Sequence, residues 1–170
     1  MSQRCFSVST VASAEYRPDP QAALRELRGN INLADRQLLE SIASLSNNGD
    51  TQRLTRLFSG RFRQLFETCP AEVVEQEAQS LLEAMRGIFP SSVHDSSVEA
   101  LAACFSHRAQ VRQYKNSTRD RAREQELRAR WREIAEELRL DPDRGEQLYN
   151  VILETSVRMQ EMQVSSVSAL

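Results

Sequence analysis

What most limits the fold of this chain is the interval between its apolar residues, which is three or four along nearly its whole length. From Gln21 to Leu45 they fall at Leu24, Leu27, Ile31, Ala34, Leu38, Ile42 and Leu45. That spacing marks one face of a helix with a period of about 3.6 residues and does not suit a half-buried strand, whose side chains alternate. Ser46-Asn47-Asn48-Gly49-Asp50 interrupts the pattern with turn-forming residues. Leu54, Leu57, Phe58, Phe62, Leu65 and Phe66 predict a second helix over Thr51–Glu67, although Gly60 is a weak helix former. Pro70 suits a helix start, and Ala71–Met85 follows with Val73, Val74, Leu81 and Leu82 inward, ended by Gly87 and Pro90. Ser96 and Glu99 have capping-box spacing and predict a helix to about Lys115. After the polar break Asn116-Ser117-Thr118, a charge-laced helix is expected from about Asp120 to Leu138. Asp141 and Pro142 form a cap and first-turn proline. The last helix carries Leu148, Ile152, Thr155, Met159 and Met162 on one stripe and is expected to end near Val164. With neither strand pattern nor internal repeat, the expectation is all-α: a bundle of five or six helices.

Composition narrows the class. The 170 residues suit one domain, read here as 21–170 preceded by a Ser-rich flexible arm over 1–20. Apolar residues at 40% and charged residues at 27% are ordinary for a globular protein. A net charge of −2 argues against a nucleic-acid binder, which usually carries a basic excess. No apolar run approaches the about 18 residues of a membrane span. Cys5, Cys69 and Cys104 are odd in number and widely spaced, which supports neither a disulfide framework nor a zinc site, so a cytoplasmic location is expected. His94 and His107 stand alone, where a structural role is commoner than ligation. Neither a metal nor a cofactor is expected. The basic residues are 21 Arg and one Lys, Lys115. A point charge and a planar fork do different work, so a solitary lysine singles out its position.

Polar residues also recur at spacings that converge in a bundle. Arg28 sits beside the first apolar stripe, Asp120, Arg123 and Glu124 share the start of one helix, and Ser156 and Gln160 are one turn apart on the last. Arg121, Arg128, Arg130 and Arg132 read as a solvated, salt-bridged face.

Taken together these segments resemble the all-helical (AroQ-type) chorismate mutases. Residues 24–39, with Arg28, Ile31 and an Asp before a Leu pair, look like that family's opening helix. Asp120-x-x-Arg123-Glu124 is similar to its second-helix start, and residues 148–160, with Ser156 and Gln160, to its closing helix. The resemblance implies an intertwined homodimer acting on a small dianionic substrate, with Arg28 reaching a carboxylate from the neighbouring protomer. It implies that Arg123 and Ser156 hold other polar groups, that Asp120 and Glu124 take the ring hydroxyl and orienting roles, and that Lys115 and Gln160 flank the ether oxygen of the breaking bond. The implied reaction, chorismate to prephenate, needs a flexible dianion pinned in a compact conformer and a cation beside an oxygen gaining charge. The same pocket would suit an isochorismate-pyruvate lyase or an amino-deoxychorismate mutase; a non-catalytic helical interaction protein is the reading from another class. Two departures stand out. Residues 46–98 read as an inserted helical hairpin, and the family's second substrate arginine falls near Cys104. Arg108, one turn on, is one replacement; Arg61 or Arg63 on the insertion is the other.

Overall fold

The computed structural model describes residues 19–44, 50–114 and 119–169, with side chains to residue 164. Lys115, Cys5 and most of the N-terminal arm lie outside the described residues, as does the break at residues 116–118. Six α-helices span Pro20–Ala43 (α1), Thr51–Leu65 (α2), Ala71–Ile88 (α3), Asp95–Val111 (α4), Arg121–Glu137 (α5) and Pro142–Ala169 (α6), and a 3-10 turn at Arg112–Tyr114 follows α4. Among the described residues there is no strand, and no helix is long and apolar enough to cross a membrane.

Local chemistry sets the helix ends. Asp19 and Asp50 cap α1 and α2 by accepting from the backbone N–H of Gln21 and Gln52. The cap of α4 differs from the expected Ser96–Glu99 box. His94 is the N-cap, with Ser97 as its reciprocal partner. His94 Nδ1 accepts from Ser97 N–H at 3.4 Å, so Nε2–H donates to the Ser41 carbonyl on α1 at 2.9 Å. This lone histidine is therefore a structural clip between two helices. Helix α5 stops where Arg139 turns to φ 62 and Leu140 N–H returns to the Ala135 carbonyl. Helix α6 runs past its expected end at Val164 to Ala169.

Apolar stripes then arrange the helices around one core. Helix α1 lies along α4; α2 pairs with α3 and also rests on α4; α3 packs on α6 and α6 on α5, which closes back onto α1. Phe58 and Phe62 of α2 and Phe66 at its C-cap form a ladder, and Phe105 of α4 meets Phe62 edge-on at 4.9 Å. Each such pair contributes about 0.5–1.5 kcal/mol beyond its buried area. Gly145 lets α6 approach α5, since a Cβ there would lie 2.9 Å from Ala135 Cβ. The α2–α3 side of the molecule is filled with apolar side chains. The polar side chains gather at the other side, between α1, α4, α5 and α6.

Candidate active site

A partly enclosed cavity of about 590 Å³, its mouth included, lies among these four helices. It is lined by Arg28, Arg108, Asp120, Arg123, Glu124, Ser156 and Gln160, all singled out from the sequence as site candidates. Helical periodicity explains the convergence. Arg28, Ile31, Asn32 and Asp35 share one face of α1; Asp120, Arg123, Glu124 and Leu127 share one face of α5; Tyr149, Leu153, Ser156 and Gln160 share one face of α6. Lys115 lies outside the described residues, but Arg112 and Asp120 on either side of it both line the cavity.

The polar groups hold one another in place. Asp120 caps α5 by accepting from Arg123 N–H at 3.1 Å, and its other oxygen lies 3.5 Å from Arg28 Nη2. Arg123 donates to Asn32 Oδ1 of α1 and to Glu126. Glu124 is buried and accepts two bonds from Arg119, at 2.8 and 3.0 Å. Those bonds and the neighbouring arginine charges hold its carboxyl below the usual range, against the opposing effect of burial. Arg119 also reaches Glu154 of α6 and so ties the start of α5 to the far wall. Gln160 Nε2 donates to Ser156 Oγ at 2.8 Å, which leaves the serine hydroxyl proton and a second amide N–H for a ligand.

Within the chain described, Arg28 lines the cavity that the α5 and α6 residues build, and α1 lies along α4. Arg108 borders the cavity, but its guanidinium is turned to Asp35. Nη1 and Nη2 donate to the two carboxylate oxygens at 2.7 and 2.8 Å, and Trp131 Nε1 donates to the same carboxylate at 2.9 Å. Asp35 is 1% and Arg108 8% exposed. Burial works against the arginine's charge, yet the adjoining carboxylate more than offsets it and raises its pKa further. The alternatives Arg61 and Arg63 are exposed on α2, paired with Glu99 and Glu75, and neither lines the cavity.

Sequence reasoning passed over three lining or supporting residues. Arg112 stands one turn beyond Arg108 and lines the cavity; its spacing from Arg108 was the available signal. Tyr149 stands two turns before Ser156 on the same face and lines the cavity. Asp35 sits inside the apolar stripe of α1, and a charge in such a stripe signals a buried partner. Among the described residues no group of three or more His, Cys, Asp and Glu could hold a metal ion.

Residues 92–161 match the family model described as chorismate mutase type II. The match begins just before α4 and ends just after Gln160, and it contains every lining residue except Arg28 and Ile31 of α1. No curated protein and no solved structure matches the chain.

Proposed function

We propose that this chain, which matches the chorismate mutase type II family over residues 92–161, is a chorismate mutase that converts chorismate to prephenate within the cavity of a single chain. The observation that carries this reading is the convergence of Arg28, Asp120, Arg123, Glu124, Ser156 and Gln160 on one cavity from three separate helices. Chorismate mutation is an isomerisation: the ether C–O bond of the enolpyruvyl group breaks as a new C–C bond forms, and no proton changes place. The protein need only compress the dianion into its reactive conformer and stabilise negative charge on the ether oxygen.

Arg28 takes one carboxylate. Arg112, which lines the cavity one turn beyond Arg108, takes the other; Arg108, bonded to Asp35, acts as a positioning residue. Two buried carboxylates need two such cations, since an uncompensated buried charge costs several kcal/mol. Arg123 and Ser156 hold the remaining polar groups, while Asp120 and Glu124 orient the ring and its hydroxyl. Gln160 donates to the ether oxygen, and Lys115 supplies the positive charge on its other side. Ile31, Val111, Leu127, Leu153 and Val157 complete the wall and exclude water, which strengthens each of these electrostatic contacts.

The test is to add the purified protein to chorismate, follow the loss of its absorbance and resolve the products by chromatography. Prephenate alone is expected. Salicylate or pyruvate from isochorismate, with chorismate untouched, would assign the cavity to the lyase reaction. No binding and no turnover of either would leave the non-catalytic reading.

A further inference from the structure

The cavity wall holds one polar atom to which the reaction just described gives no task. Tyr149 lies on α6, on the same face as Ser156 and Gln160. It is completely buried and lines the cavity. Its ring is fixed by Trp131, whose ring centroid is 5.7 Å away, and by the Arg128 guanidinium 5.7 Å from the ring centre. The side chain thus has a defined place and little freedom. Yet its phenolic oxygen has no hydrogen-bond partner among the described residues. Buried tyrosine hydroxyls nearly always find a partner, and a phenylalanine would fill this space without an unmatched polar atom. A phenol is a donor at neutral pH, and burial, which raises its pKa to about 12, keeps it so.

We infer that the Tyr149 hydroxyl is a ligand-binding donor, which bonds an oxygen of the bound molecule, carboxylate or hydroxyl, and makes the cavity selective for ligands that present an acceptor at the α6 wall. The inference rests on the cavity being the chorismate site. It adds a specificity-determining residue to that site. A pocket with a buried donor discriminates strongly, because a ligand lacking the matching oxygen leaves the donor unpaired. The empty protein carries an unmatched group that the ligand satisfies, so removing the hydroxyl should affect the empty and occupied states in opposite directions.

Tyr149→Phe is compared with the wild-type chain in two measurements, the melting temperature without ligand and the steady-state kinetics on chorismate. Expected are an unchanged or higher ligand-free Tm and a KM raised about tenfold or more, with a smaller change in kcat, as befits one hydrogen bond to a charged or polar ligand oxygen. A wild-type KM in the variant would overturn the inference while leaving the chorismate reading intact. A lowered ligand-free Tm would also overturn it, since the hydroxyl would then have a structural partner. A wild-type protein that neither binds nor converts chorismate would overturn the functional reading instead; the ligand-free Tm of the variant would still decide whether Tyr149 carries an unmatched donor.

Discussion

Removing the Asp35 carboxylate should be the most damaging single change in the polar half of the molecule. Asp35 and Arg108 form a two-pronged ion pair at 2.7 and 2.8 Å with the carboxylate 1% exposed, and Trp131 adds a third bond at 2.9 Å. Asp35→Ala would leave the guanidinium buried without its counter-charge, which costs about 3–5 kcal/mol. The indole N–H would lose its acceptor, a further cost of about 1–3 kcal/mol. The two effects share one site and do not add fully, so a loss of about 4–6 kcal/mol is expected. That is a large part of the about 5–15 kcal/mol that holds an ordinary domain together. Urea unfolding read by helical circular dichroism and by the emission of Trp131, the one tryptophan in the chain, measures it. The double variant Asp35→Leu/Arg108→Met should recover most of the loss, because no charge is then left unmatched. Arg61→Ala, which breaks an exposed pair with Glu99, should cost at most about 1 kcal/mol. If Asp35→Ala stays within about 1 kcal/mol of the wild type, or the double variant is no more stable than the single, the assigned network is wrong.

Further outcomes follow from the same geometry. Gly145→Ala should lower stability by about 1–3 kcal/mol in the same urea assay, because its Cβ would lie 2.9 Å from Ala135 Cβ where α5 and α6 meet; an unchanged midpoint would show that the helices can part without cost. Glu124 has a folded pKa below its ordinary 4.5 because of Arg119. Its contribution to stability is therefore fully present above pH 4.5 and is lost as pH falls through the lower folded value. The stability gap between wild type and Glu124→Gln should accordingly narrow in acid, and a gap that widens there would reverse the assignment. Gln160→Glu should make turnover acid-dependent, since only a protonated carboxyl can donate to the ether oxygen; a flat pH–rate profile would remove Gln160 from that role. Lys115→Ala and Lys115→Arg should each lower kcat, the former by about a hundredfold or more, and wild-type turnover in both would dismiss the lysine.

Much of this arrangement is legible in the sequence because helical spacing is local information. The α1 stripe Ile31, Ala34, Leu38 and Ile42 is buried as its period requires, and Asp120 caps α5 as its position before the helix suggests. The cap of α4 was not legible in the same way. Ser96 and Glu99 have the right spacing, but His94 prevails because its second nitrogen reaches the Ser41 carbonyl on a distant helix, and no local pattern reports that. The pairing of Asp35 with Arg108 is another such case. Each is visible alone, a charge in a stripe and an arginine on a buried face, yet 73 residues separate them and only the contact between α1 and α4 joins them. Candidate site positions were legible where they repeat at three and four residues on one helix, as Asp120, Arg123 and Glu124 do. Tyr149 escaped because no spacing or motif sets it apart from its neighbours in the sequence, and its ring packs in the core against Trp131. Only the surroundings of its oxygen set it apart.

The central claim is that the cavity between α1, α4, α5 and α6 holds and rearranges a dianion, with Arg112 in the place first considered for Arg108, Arg61 or Arg63. The most direct test is kcat/KM for chorismate in Arg112→Ala beside Arg61→Ala. Arg112 lines the cavity, whereas Arg61 lies outside it on the surface beside Glu99. Truncating a cation that meets a buried carboxylate costs about 2–5 kcal/mol, a loss of about thirtyfold to several thousandfold. Arg112→Ala should therefore lose about a hundredfold or more in kcat/KM with its helical content intact, and Arg61→Ala should match the wild type. Equal activity in Arg112→Ala and wild type, or a loss confined to Arg61→Ala, would contradict it.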